Sequence, residues 1–127
     1  MQNLKVWGIG HSNLSLTDFI GKLKNRQIEL VVDTRTSPYS RFCPHFNEKP
    51  IREELYKESI LYLYRGRNLG GKGENVDYEK TILWLAELAK TKRVAVMCAE
   101  KDYTKCHRHK IIAPSLAQLG VDMEPIT

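Results

Sequence analysis

Two short runs, Glu29 to Asp33 (ELVVD) and Arg93 to Cys98 (RVAVMC), are apolar without alternation. They constrain the fold more than any other feature of the chain. A strand wet on one face alternates polar and apolar residues, whereas a strand whose apolar residues run on is covered on both faces, as in a parallel sheet between two helix layers. Leu4 to Ile9 and Ile60 to Tyr64 supply two further strands. Val121 to Ile126 suits an edge strand, where Pro125 is tolerated. The stretches between them read as helices. Ser15 with Asp18 has the spacing of a capping box, and Leu16, Phe19, Ile20 and Leu23 recur at helical period. Asn47 caps a helix running to Glu58, with Pro50 in its first turn and Ile51 and Leu55 on its core face. A third helix starts near Asp77 and carries Ile82, Leu85, Ala86 and Ala89. The last spans about 105 to 119, is stopped by Gly120 and is kinked by Pro114. Residues 34 to 46 and the glycine-rich stretch from Gly66 to Gly73 read as loops. Strand and helix thus alternate five times, which predicts a single α/β domain over 1–127, with a mainly parallel sheet of about five strands and helices on both faces.

Composition agrees and adds exclusions. A chain of 127 residues, 42% hydrophobic and 28% charged, can bury a core without disulfides or a structural metal. It holds no repeat, linker or low-complexity tract. No apolar run approaches the roughly 20 residues that cross a bilayer, and MQNLKVWGIG lacks the basic region and longer apolar stretch of a signal peptide. A soluble, cytoplasmic protein without a membrane partner is therefore expected. Three cysteines, an odd number, point to free thiols or metal ligands rather than a disulfide framework. Lys plus Arg is 20 against 15 for Asp plus Glu, a net charge of +5, so anionic partners are favoured, nucleic acid among them. The oligomeric state is left open.

The residues with chemistry are not scattered. Every Cys and His falls just after a predicted strand or at the start of the helix that follows it: His11, Cys43, His45, Cys98, Cys106, His107 and His109. So do Ser12, Asp33, Arg35, Arg41, Arg65, Glu100 and Arg108. In a parallel sheet these positions share the carboxyl edge, where nucleophiles, acids, bases and anion receptors would meet. Loops are polar in any protein, and that accounts for the arginines more readily than for the cysteines, which are commonly core residues.

Two readings stay open for Cys98. It is a thiol whose pKa is lowered by backbone N–H groups and a helix end, or a small apolar residue closing the core. A Cys-x5-Arg phosphatase loop needs arginine at Thr104, and a Cys-x4-Arg rhodanese loop needs it at Tyr103, so neither spacing is met. Cys106, His107 and Arg108 at a helix start form an anion receptor that Arg35 and Arg41 join from the second loop. The alternative is that Arg35 pairs with Asp33 or Glu100 and ties the loops together. A zinc site would draw on Cys98, Cys106, His107 and His11 or Cys43, but Cys-x7-Cys-His has no standard ligand spacing. Gly66 to Gly73 (GRNLGGKG) falls short of a Walker A loop, since Gly73 replaces the hydroxyl and the loop follows the third strand. Tyr39, Phe42, Phe46, Tyr62 and Tyr64 lie near the arginines and suit stacked bases, although Phe46 reads better as core.

Several of these segments together, Ile9-Gly-His-Ser12, Val32-Asp-Thr-Arg35 with Ser37-Pro38 and Ser40-Arg41, Pro44 and Phe46-Asn47, Leu69-Gly-Gly71, and Met97-Cys-Ala-Glu-Lys101 with Cys106-His-Arg108, resemble the domain of unknown function 488 family over nearly the whole chain. The resemblance implies a small bacterial or archaeal α/β domain and no particular reaction. Relatives carry a longer loop after the position of Gly71, so a more open cleft is expected here, less suited to water-sensitive chemistry. Thr34 stands where valine is commoner.

The expectation is a small enzyme acting on an anionic, phosphorylated or nucleotide-like substrate, with no cofactor. Cys98 is its nucleophile or redox thiol, His11, Glu100 and Asp33 are its acid–base candidates, and Ser12, Arg35, Arg41, Cys106, His107 and Arg108 bind substrate. The alternatives are a nucleic-acid-binding module without catalysis and a metal-binding domain.

Overall fold

The five apolar runs pair into one sheet. In a computed structural model, which describes residues 4–11, 14–35, 37–39, 41, 43–70, 75–99 and 111–126, they are β1 (Leu4–Gly10), β2 (Leu30–Asp33), β3 (Leu61–Tyr64), β4 (Val94–Cys98) and β5 (Val121–Pro125). All neighbours are parallel, in the order β3-β2-β4-β1-β5. RVAVMC lies in the middle with ELVVD beside it, which is why both strands are buried along their length. β5 is an edge strand. Ile126 N–H donates to the Gly8 carbonyl at 2.7 Å, so the backbone nitrogen of Pro125, one residue earlier, faces away from the ladder and costs no bond.

The helices are α1 (Leu16–Asn25), α2 (Glu48–Lys57), α3 (Gly66–Leu69), α4 (Tyr78–Leu88) and α5 (Ala113–Ala117). Side chains alternate along each strand, so each strand feeds two layers. Trp7, Ile9, Val31, Tyr62, Ala95 and Met97 pack with Phe19 and Leu23 of α1 and Ile51 and Leu55 of α2. Val6, Val32, Val94, Val96 and Val121 pack with Leu69, Ile82, Leu85 and Leu116 from α3, α4 and α5. The expected capping at α1 is present, with the Asp18 N–H donating to Ser15 Oγ at 3.1 Å.

Two local expectations change. The glycine-rich stretch is not loop throughout. Gly66 to Leu69 form the short helix α3, because the Arg65 and Gly66 carbonyls accept from Leu69 N–H (2.8 Å) and Gly70 N–H (2.9 Å) while the Leu69 side chain is buried. The stretch from 34 to 46 ends in a 3-10 turn, Pro44–Phe46, that turns the buried Phe46 into the core. The last helix is described only from a wide turn at 111 and 112 onward, its expected start at 105 lying outside the described residues. Pro114 is the second residue of α5, and the residues before 111, which the expected kink also involves, lie outside the described residues.

The helices α1 and α2 pack on one face of the sheet, and α3, α4 and α5 on the other. No helix among the described residues is long and apolar enough to cross a membrane.

Candidate functional site

The end of β4 anchors the site. Gly10 of β1 stands opposite Cys98, and Asp33 of β2 stands opposite Met97. One residue past each strand, His11 N–H donates to the Cys98 carbonyl at 3.0 Å. Thr34 donates twice to the Met97 carbonyl, from N–H and from Oγ1, each at 2.9 Å. Threonine at 34 thus supplies a hydroxyl bond that a valine of the same shape could not make. These bonds hold the first and second loops against the strand between them.

Asp33 is fully buried and accepts from Arg35 and Tyr62. Arg35 folds back on it, with Nε 3.0 Å from Oδ1 and 3.1 Å from Oδ2, and Nη2 2.8 Å from Oδ2. The Arg35 backbone N–H adds a bond of 3.0 Å to Oδ1, and the Tyr62 hydroxyl, from β3, donates to Oδ2. An ionised carboxylate has about four lone-pair sites, and these donors occupy them. Burial works against the Arg35 charge, but hydrogen bonds and attraction from Asp33 outweigh it, and the guanidinium pKa is raised. The Tyr62 hydroxyl is also pushed up, by burial first and then by the Asp33 charge, so it stays a donor.

The remaining edge of Arg35 faces His11, with Nη1 3.5 Å from the imidazole Nε2. A guanidinium only donates, so Nε2 can serve this contact only as an acceptor. Phe46 backs the ring, with centroids 4.6 Å apart and planes at 20°. Phe46 in turn meets Phe19 edge-on at 4.9 Å and His45 at 4.4 Å, and the His45 Nε2–H donates to the Leu14 carbonyl at 3.0 Å. Gly66 closes the far side. A Cβ there would overlap the Arg35 carbonyl oxygen and the Tyr64 hydroxyl, so only glycine lets β3 and the second loop approach this closely.

Of the candidates read from the sequence, His11, Asp33 and Arg35 are brought together. Cys98 is buried at the same strand end, but in phase with Val94 and Val96. Alternation therefore sets its side chain toward the α4 and α5 layer, away from Asp33 and His11. Arg41 is exposed. Ser12, Glu100, Cys106, His107 and Arg108 lie outside the described residues, as does Phe42. Tyr62 is no stacking platform, since its ring belongs to the core with the Arg52 guanidinium 5.3 Å from its centre. A tyrosine on a buried strand needs a partner for its hydroxyl, and that was the available signal. Nothing local marked Gly66 as a contact point. Among the described residues no three His, Cys, Asp or Glu side chains come together to hold a metal.

Chemically, the described part offers a guanidinium fixed by Asp33 beside an imidazole. Arg65, at the end of β3, lies over the Trp84 ring at 4.8 Å and donates to the Tyr64 carbonyl at 2.8 Å. Such a set can receive an oxyanion and move a proton.

No curated protein and no solved structure matches the chain. A family profile described as a domain of unknown function, DUF488, matches residues 15–81. The matched stretch begins at the Ser15 cap and takes in Asp33, Arg35, Tyr62 and Gly66, while the Ile9 to Ser12 and Met97 to Arg108 segments lie outside it. With more than half its length matched, the chain belongs to the DUF488 family.

Proposed function

We propose that the protein is a small cytoplasmic enzyme that acts on an anionic, phosphorylated or nucleotide-like substrate at the carboxyl edge of its sheet. The supporting observation is the meeting of Arg35 and His11, delivered from different strands, at 3.5 Å beside the strand that ends in Cys98. In this reading Arg35 receives the anion, with Arg41 and Arg108 reaching in from the rim and Ser12, Cys106 and His107 completing the receptor. Asp33 acts by holding Arg35. His11 or Glu100 carries the proton, and Cys98, kept reduced in the cytoplasm, is the nucleophile or redox thiol. A substrate lying across the end of β4 would reach both sides of the sheet.

Cys98 decides the reading. In a chain carrying Cys43→Ser and Cys106→Ser, alkylation of Cys98 is expected to saturate below about pH 8, as for a thiol whose thiolate forms early. Alkylation that rises only through the ordinary thiol range removes the nucleophile. Nucleic-acid binding with steep salt dependence that is indifferent to Cys98→Ser marks a binding module instead, and stoichiometric zinc or iron in untagged protein marks a metal domain.

A further inference from the structure

Tyr62 sits one strand away from Arg35, and its hydroxyl ends on the same carboxylate oxygen that receives Arg35 Nη2. Its ring cannot swing, because it is packed in the core between sheet and α2, with Arg52 against its face. Three groups set the plane of the Asp33 carboxylate: the Arg35 backbone N–H, the Arg35 side chain and Tyr62. Two of them belong to the residue being positioned. Tyr62 is the reference point that comes from outside the second loop.

We propose that Tyr62 is a positioning residue of this site, fixing the Asp33 carboxylate so that Arg35 presents its Nη1 edge to His11 and to an incoming oxyanion. Its hydroxyl is held protonated by burial and by the Asp33 charge, so it donates throughout the neutral range. Without that bond the carboxylate can rotate about its Cβ–Cγ axis, and the guanidinium turns with it, because a bidentate pair keeps its own geometry. The inference rests on the reading of the edge as an anion site but depends on a separate measurement.

The test compares the wild-type chain with Tyr62→Phe, which keeps the ring and removes the donor. At neutral pH, 15N spectra report the Arg35 Nε–H exchange rate and the His11 tautomer, and titration with inorganic phosphate reports the anion. Tyr62→Phe is expected to speed Arg35 Nε–H exchange and weaken phosphate binding by about tenfold each, and to shift the His11 ring signals. A merely structural role lowers the melting temperature and leaves the exchange rate and tautomer as they were, which overturns the proposal. If the wild-type chain binds no phosphate while Tyr62→Phe still frees Arg35 and shifts His11, the anion-site reading falls and the positioning role stands. Should Tyr62→Phe not fold, the wild-type spectrum decides. A slowly exchanging Tyr62 hydroxyl proton with cross-relaxation to Arg35 Hε supports the proposal, and its absence overturns it.

Discussion

The Arg35 guanidinium lies edge-on against the Asp33 carboxylate only two residues earlier, with Nη2 2.8 Å and Nε 3.0 Å from its oxygens. Both side chains are buried. A pair so close in sequence closes a turn, and here the turn is the exit from β2, pinned on its other side by Thr34 to Met97. Arg35 thus holds a carboxylate and ties a loop, as one reading of the sequence had it, and still turns one edge to His11.

Removing one member of this pair leaves a buried charge without its partner. Asp33→Ala and Arg35→Ala should each destabilise the fold by about 3 kcal/mol, the size found when buried ion pairs are broken from one side. The double variant should cost less than the two added together. Urea denaturation of the four proteins measures the difference, and additive losses would show that the contact carries no coupling.

Alkali should unfold the protein through Tyr62. Its hydroxyl pKa is raised above the ordinary value of 10.0, so below that value its contribution to stability is fully present. Above it the unfolded chain releases the proton while the folded chain keeps it, and stability falls by about 1.4 kcal/mol per pH unit until the folded value is reached. Urea midpoints taken between about pH 9 and about pH 11 should show this decline in the wild type and a shallower one in Tyr62→Phe. Equal slopes would mean that the hydroxyl is not held by Asp33.

Two glycines should respond to alanine with opposite signs. Gly66→Ala forces a methyl group into the Arg35 carbonyl and the Tyr64 ring, and backbone cannot give way, so a loss of about 3 kcal/mol is expected. Gly21 lies inside α1, where an added methyl group would meet nothing within 4 Å, and Gly21→Ala should stabilise by about 0.5 to 1 kcal/mol through helix propensity. Thermal melts of both variants check the pair.

Between β1 and the edge strand β5, Trp7 Nε1–H donates to Glu124 at 2.9 Å and Lys5 reaches the same carboxylate at 3.4 Å. Hydrogen bonds from Lys5 and Trp7, then the Lys5 charge, lower the Glu124 pKa from 4.5. Its contribution is therefore present above that value and fades as pH falls through the lowered one. Trp7 emission in a Trp84→Phe chain should shift over that acid range, and Glu124→Gln should abolish the shift. An unchanged titration would place Glu124 away from Trp7 in solution.

How much of this was legible depends on the range of the interactions involved. The covered strands announced themselves because ELVVD and RVAVMC lack alternation, and the α1 start did so because Ser15 and Asp18 meet within one turn. The pairing of Asp33 with Arg35 was open to sequence reasoning because the two lie within one turn of each other. Tyr62 was not, because it lies 29 residues from Asp33 and its part depends on β3 pairing with β2 in one register.

Alternating strand and helix segments, five of them with the apolar residues spaced for burial, were enough by themselves to dictate a parallel sheet whose strands all end at one edge, because periodicity and handed connections are local properties of a chain. Strand order was not local. Only the tertiary packing that set β4 between β1 and β2 decided that His11 and Arg35 would meet, that Tyr62 would hold Asp33, and that Cys98 would turn toward the opposite layer, since each of those relations is made by side chains whose neighbours are far away in sequence.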